Sequence, residues 1–137
     1  MDVPDPQAFM DRLVQTVETI LDREPIDFYA NPTYLPEVLA KDYDRLWTAE
    51  RQKRVVGALA RNGVALEIND ALRLPRPALI KKAKEAGVKF TFGGANADRR
   101  LGRLEYCLRM VEECALTPDD LWAPRPAGRK PIQARKR

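Results

Sequence analysis

Histidine is absent from all 137 residues. That removes the commonest metal ligand and the commonest general base at neutral pH. An ordinary zinc site or a Ser–His nucleophile would have to draw its imidazole from elsewhere. Long apolar runs are also missing: none approaches the ~18 residues that span a bilayer. The opening MDVPDPQAF has neither a basic start nor an apolar stretch, so it does not read as a secretory signal. Aromatic residues make up only 7% of the chain and do not interleave with its basic end. Core and lid packing is therefore the default for Tyr29, Tyr34, Trp47 and Trp122.

Cysteine is scarce. Cys107 and Cys114 stand seven apart on one predicted helix, a rise of roughly 10.5 Å. A disulfide needs Cα atoms within about 7 Å, so the two cannot bridge inside that helix. Both fall on its apolar stripe. Free, buried thiols are expected, which suits a reducing cytoplasm.

What is present suffices for one domain. Apolar content of 45% beside 32% charged residues is ordinary globular composition. The net charge of +4 is unevenly spread. Residues 124–137 (PRPAGRKPIQARKR) hold six Arg or Lys and no acid, leaving 18 basic and 20 acidic residues in the body. The expected division is a domain over 1–123 and a basic, Pro- and Arg-rich disordered tail over 124–137.

Asp5-Pro6 is a good helix start, an Asp cap before a first-turn Pro. Phe9, Leu13, Val17, Ile20 and Leu21 recur at helical spacing to about Arg23, and Pro25 stops the run. Residues 26–30 read as a short strand and 31–36 as a loop. Thr48 caps a second helix to about Arg61, with Asn62-Gly63 as its stop. Residues 64–68 form the next strand, whose apolar run suits a parallel strand covered on both faces. A third helix is expected over 78–86, a third strand over 88–92 and a fourth helix over 101–115. Leu104, Cys107, Leu108, Val111 and Cys114 should face inward from that helix. Thr117-Pro118-Asp119-Asp120 opens a last turn ending at Leu121 and Trp122. Strands alternating with helices argue for α/β architecture, with a parallel sheet and right-handed crossovers. Three strands cannot close a barrel, so the sheet should have two open edges.

Three segments carry a resemblance: Asp27-Phe28-Tyr29-Ala30-Asn31-Pro32-Thr33, Gly63-Val64-Ala65-Leu66-Glu67-Ile68-Asn69, and Gly87-Val88-Lys89-Phe90-Thr91-Phe92-Gly93 with the loop after it. In this order and spacing they resemble the C-terminal half of the PHP (polymerase and histidinol phosphatase) superfamily, over roughly residues 8–122. The resemblance implies a partial parallel (β/α) barrel, PHP-like, of about three strands and four helices. It also implies descent from metal-dependent phosphoesterases that use zinc, manganese, magnesium or iron. Family members usually carry His-Pro where this chain has Asn31-Pro32, and Gly-Ser-Asp-Ala-His where it has Gly93-Gly94-Ala95-Asn96-Ala97. Alanine at 95 and 97 offers a metal no lone pair, and a neutral asparagine oxygen is a weak ligand. The family's opening His-x-His motif lies on earlier strands outside this chain. No metal is expected from this chain alone.

Among the polar positions, Glu67 stands out, an acid near the C-terminal end of a strand expected to be buried. It reads equally as a pocket carboxylate or as a structural partner of an arginine, since burying it unpaired would cost several kcal/mol. Asn31, Asn69, Asn96 and Asp98 follow strands and would gather at one rim of a parallel barrel. They are ligand-binding candidates, against a background in which Asn and Asp favour turns for local reasons. Arg99, Arg100 and Arg103 beside Gly93-Gly94 are weaker phosphate-binding candidates, with a solvated basic face as the commoner reading. The expectation is a degenerate or truncated PHP relative, not catalytic by itself, that binds a small ligand or completes a barrel. Its partners would be a missing N-terminal half, a second copy or a small molecule, and no membrane. The alternatives are the C-terminal part of an active hydrolase and a nucleic-acid-associated module resting on the tail alone.

Overall fold

A computed structural model describes residues 5–30, 33–94 and 104–123. The chain opens with helix α1 (Pro6–Arg23), where the Asp5 carboxylate accepts from the Ala8 amide at 3.0 Å. Strand β1 (Phe28–Tyr29) follows, then two single-turn helices, α2 (Glu37–Ala40) and α3 (Tyr43–Leu46). Helix α4 (Ala49–Asn62) is capped by the Thr48 hydroxyl, which accepts from the Arg51 amide at 3.2 Å. It ends at Gly63, whose φ of +62° lies in the left-handed region that glycine enters freely. Strand β2 (Ala65–Asn69), helix α5 (Pro77–Glu85), strand β3 (Phe90–Gly93) and helix α6 (Glu105–Glu113) complete the alternation. A 3₁₀ turn over Pro118–Asp120 comes last, held by the Asp120 carboxylate accepting from the Thr117 amide and hydroxyl.

The three strands lie in the order β1-β2-β3 and all pairs are parallel. The α/β class and parallel sheet expected from the alternation are therefore present. Past the 3₁₀ turn, Leu121 bridges Phe90 in parallel and the Trp122 amide donates to the Phe90 carbonyl at 2.8 Å. Residues expected to finish a turn instead add a short fourth position to the sheet.

Helices pack in chain order: α1 against α4, α4 against α5, and α5 against α6. A strand order that advances in one direction through crossovers of one hand puts every crossover on the same face. That face is the core. Leu66, Ile68 and Phe90 are buried there with Met10, Val14, Val17 and Leu21 of α1, Val55 and Leu59 of α4, and Ile80 of α5. Outside the core, arginines of α4 clamp α1. Arg54 meets Glu18 through two hydrogen bonds (3.2 and 2.5 Å), and Arg61 meets Asp22 through two more (3.0 and 2.9 Å). Such exposed pairs are worth at most about 1 kcal/mol each, so apolar burial dominates.

Several expectations need correction. The first strand is two residues long rather than five, and its neighbour Asp27 joins the sheet only through its carbonyl, which accepts from Ala65. α2 and α3 are additional to the expected helices, although Leu39, Tyr43, Leu46 and Trp47 recur there at helical spacing. Each is a single turn pinned by isolated buried residues, Leu39 for one and Tyr43 with Leu46 for the other. The last helix spans 105–113 rather than 101–115, and 101–103 lie outside the described residues. Leu104, Cys107, Val111 and Cys114 face the core as expected, joined by Tyr106 and Met110, whereas Leu108 is 62% exposed. Residues 107, 110 and 114 follow the i, i+3, i+7 spacing of one face, and 108 sits about 100° round the helix from 107. Both cysteines are free and buried, as expected.

Leu66→Ala should lower stability by about 2–5 kcal/mol, because it opens a cavity at the centre of the sheet. Leu108→Ala should cost less than about 0.5 kcal/mol. Denaturant unfolding of the two variants measures the contrast, and a large loss in Leu108→Ala would contradict the register of α6.

Candidate functional site

Alternation along β2 sends Leu66 and Ile68 to the helices, and Ala65, Glu67 and Asn69 to the other face. The same alternation on β3 buries Phe90 and turns Thr91 and Gly93 the same way as Glu67. Parallel register sets Glu67 beside Thr91, and Asn69 beside Gly93. At the N-terminal end of this second face, the rings of Phe28 and Trp122 meet edge to face with centroids 6.2 Å apart. Ala65 is 1% exposed yet lies outside the core cluster, consistent with cover from this aromatic pair. The C-terminal half of the face carries the polar groups.

Glu67 is half-buried and has neither a hydrogen bond nor an ion pair among the described residues. No arginine among the described residues pairs with it. Next to it, the Thr91 hydroxyl oxygen is buried and also lacks a hydrogen-bond partner. A buried, unsatisfied polar atom costs about 1–3 kcal/mol and is uncommon, so the Thr91 hydroxyl beside the half-buried Glu67 carboxylate distinguishes this face.

Gly93 and Gly94 make room for that face. A Cβ on Gly93 would lie 2.6 Å from Glu67 Cδ and nearer still to Oε1. A Cβ on Gly94 would lie 2.6 Å from Asn69 Nδ2, and Gly94 has φ +70°. The carbonyls of the two glycines accept from the amides of Asp70 and Ala71 at 2.8 and 3.1 Å. The pair is thus explained by close approach of two side chains, without a phosphate.

Asn69 is spent on its turn. Its side-chain oxygen accepts from the Leu72 amide at 2.9 Å, and its own amide donates to the Leu74 carbonyl at 2.7 Å. The next residue, Asp70, was not singled out from sequence. Its Oδ1 accepts from the amides of Tyr106 and Cys107 at 2.7 and 3.2 Å, capping α6 from β2. The capped helix is 36 residues away, so no local spacing could reveal the bond. Cys107 sits below, donating from its thiol to the Ile68 carbonyl at 3.2 Å. Burial first, and then the charge of Asp70, push that thiol up to about 12. It is a neutral packing group rather than a nucleophile.

Of the sequence candidates, Glu67 and Asn69 fall on one face two residues apart, with Glu67 open and Asn69 engaged. Asn31, Asn96, Asp98, Arg99, Arg100 and Arg103 lie outside the described residues. Among the described residues no group of three or more Cys, Asp or Glu side chains could hold a metal ion. One carboxylate beside a threonine is too small a donor set for a divalent metal centre, so no step is derived through one. No protein-family model matches the chain, and neither a curated protein nor a solved structure matches it.

Gly94→Ala should destabilise by about 1 kcal/mol or more, since its backbone is left-handed and Asn69 must also give way. Gly93→Ala should cost less, because only the flexible end of Glu67 has to move, and that cost should vanish in a Glu67→Ser background. A double-mutant cycle by thermal melting measures both. The two thiols should resist a disulfide reagent in the native protein and react fully in denaturant; fast native labelling of Cys107 would contradict its burial.

Proposed function

We propose that this chain is a PHP-like barrel sector without hydrolytic chemistry of its own. It acts by completing a parallel barrel with further βα units and lends Glu67 to the interior of the closed assembly. What supports the reading is the one-sided layout among the described residues: three parallel strands in chain order, helices on one face, and on the other a carboxylate and a threonine hydroxyl without partners among those residues. Successive βα units of a barrel have this arrangement, with side chains at the C-terminal ends of the strands facing the ligand. The Phe28–Trp122 pair corresponds to a packed bottom layer under an open rim. The resemblance in the three strand segments points the same way. In a closed barrel Glu67 would serve as a hydrogen-bond acceptor for a hydroxyl or amine of a small ligand. Free, buried cysteines suit a cytoplasmic setting. No helix among the described residues is long and apolar enough to cross a membrane.

The test joins association with catalysis. Sedimentation velocity of the purified chain should show concentration-dependent association, reduced by Thr91→Arg, which puts charge and bulk on the open face. With added Mn²⁺ or Zn²⁺ the chain should neither retain stoichiometric metal after dialysis nor release phosphate from an aryl phosphate. A chain that stays monomeric at every concentration and melts cooperatively would end the barrel-completing reading. Metal-dependent turnover abolished by Glu67→Gln would replace it with that of an active hydrolase.

A further inference from the structure

A separate feature lies on the outer side of the same end of the sheet. The turn after β2 and the start of α5 face α6 across a groove of about 460 Å³. Three arginines line it: Arg73 from the turn, Arg76 just before α5, and Arg109 from α6. Leu72, Leu74 and Pro77 add apolar surface, and the one acid of the lining is Glu113.

The arginines are poorly neutralised. Arg73 and Arg109 have no ion-pair or hydrogen-bond partner among the described residues. Glu113 follows Arg109 by four residues, a spacing that readily supports a helical ion pair, yet none forms. Arg76 bonds Asp44 at 3.1 Å and lies over the Tyr43 ring, 4.6 Å from its centroid. The Asp44 side chain is 78% exposed, so solvent screens that pair and leaves the guanidinium available to a competing anion. The Tyr106 hydroxyl already donates to the Pro75 carbonyl at 2.5 Å and so does not compete.

The groove is also held in shape. Arg73 has φ +56°, an uncommon conformation for a residue other than glycine. It is kept there by reciprocal backbone bonds across the turn, Asn69 N to Leu74 O at 2.7 Å and Leu74 N to Asn69 O at 3.3 Å. A tight bracket therefore presents Arg73 opposite α6. Guanidinium forks match carboxylate and phosphate oxygens in geometry and charge. The volume falls within the roughly 300–1,000 Å³ range of small-molecule sites.

We infer that this groove binds a small ligand bearing an oxyanion, carboxylate or phosphate, on an apolar body. The oxyanion sits among Arg73, Arg76 and Arg109, and the apolar part rests on Leu72, Leu74 and Pro77. The site is independent of the open sheet face, and either could fail without the other.

Phenyl phosphate, benzoate and inorganic phosphate are titrated into the full chain and followed by amide chemical shifts. The expected result is saturable binding of phenyl phosphate or benzoate, tighter than inorganic phosphate, with shifts clustered at residues 72–77 and 106–113. The tighter of the two organic probes identifies the oxyanion. Arg73→Gln combined with Arg109→Gln should weaken binding at least about tenfold, as loss of charge-assisted hydrogen bonds implies. Both side chains are exposed, so that variant should keep the native melting temperature. Glu67→Gln should leave the affinity unchanged, which separates this site from the sheet face. Absence of saturation at millimolar probe, or full affinity in the double variant, would overturn the inference.

Discussion

Everything in this molecule follows from the direction in which its strands advance. Parallel neighbours cannot be joined by a tight turn, so each pair needs a crossover long enough to hold a helix. When the order runs β1-β2-β3 and the crossovers share one hand, the helices collect on one face. That face gains a core around Leu66, Ile68 and Phe90. Among the described residues the opposite face receives no helix, and Phe28 and Trp122 meet over its lower end.

The strand chemistry changes at the upper end, where the side chains are polar. Apolar residues at every position would suit a strand sandwiched between two layers, but β2 carries Glu67 in its middle. A carboxylate is tolerable at that point because it is only half-buried. The glycines of β3 and the following loop complete the arrangement. At Gly93 and Gly94 any side chain would take the space that Glu67 and Asn69 already fill. Acid, amide and glycines form one packed unit, and Asp70 links it to α6 through two amide bonds.

Much of this was legible beforehand, for identifiable reasons. The helix starts at Asp5-Pro6 and Thr48 and the stop at Gly63 are local chemistry, written in neighbouring residues. The parallel sheet could be read because a helix-length stretch separates each strand from the next, which is what a crossover needs. Glu67 stood out because a charge interrupts an apolar run. What escaped were features made by distant partners. α2 and α3 are separate single turns, and the helical spacing of Leu39, Tyr43 and Leu46 runs across the break between them. Leu108 looked like part of the stripe of α6 because a wide apolar face and a narrow one differ by a single position in seven. The Asp70 cap and the Leu121 bridge to Phe90 each join residues some thirty apart.

The sequence by itself determined the kinds of element, their order, the direction of the sheet and the lack of histidine chemistry, because short-range sterics, capping and periodicity act between near neighbours. Only the tertiary structure decided which side of β2 would face away from the helices, that Asn69 is committed to its turn while Glu67 has no partner among the described residues, and that Arg73, Arg76 and Arg109 line one groove. Those outcomes depend on register and on helix placement, which bring together residues that no local spacing relates.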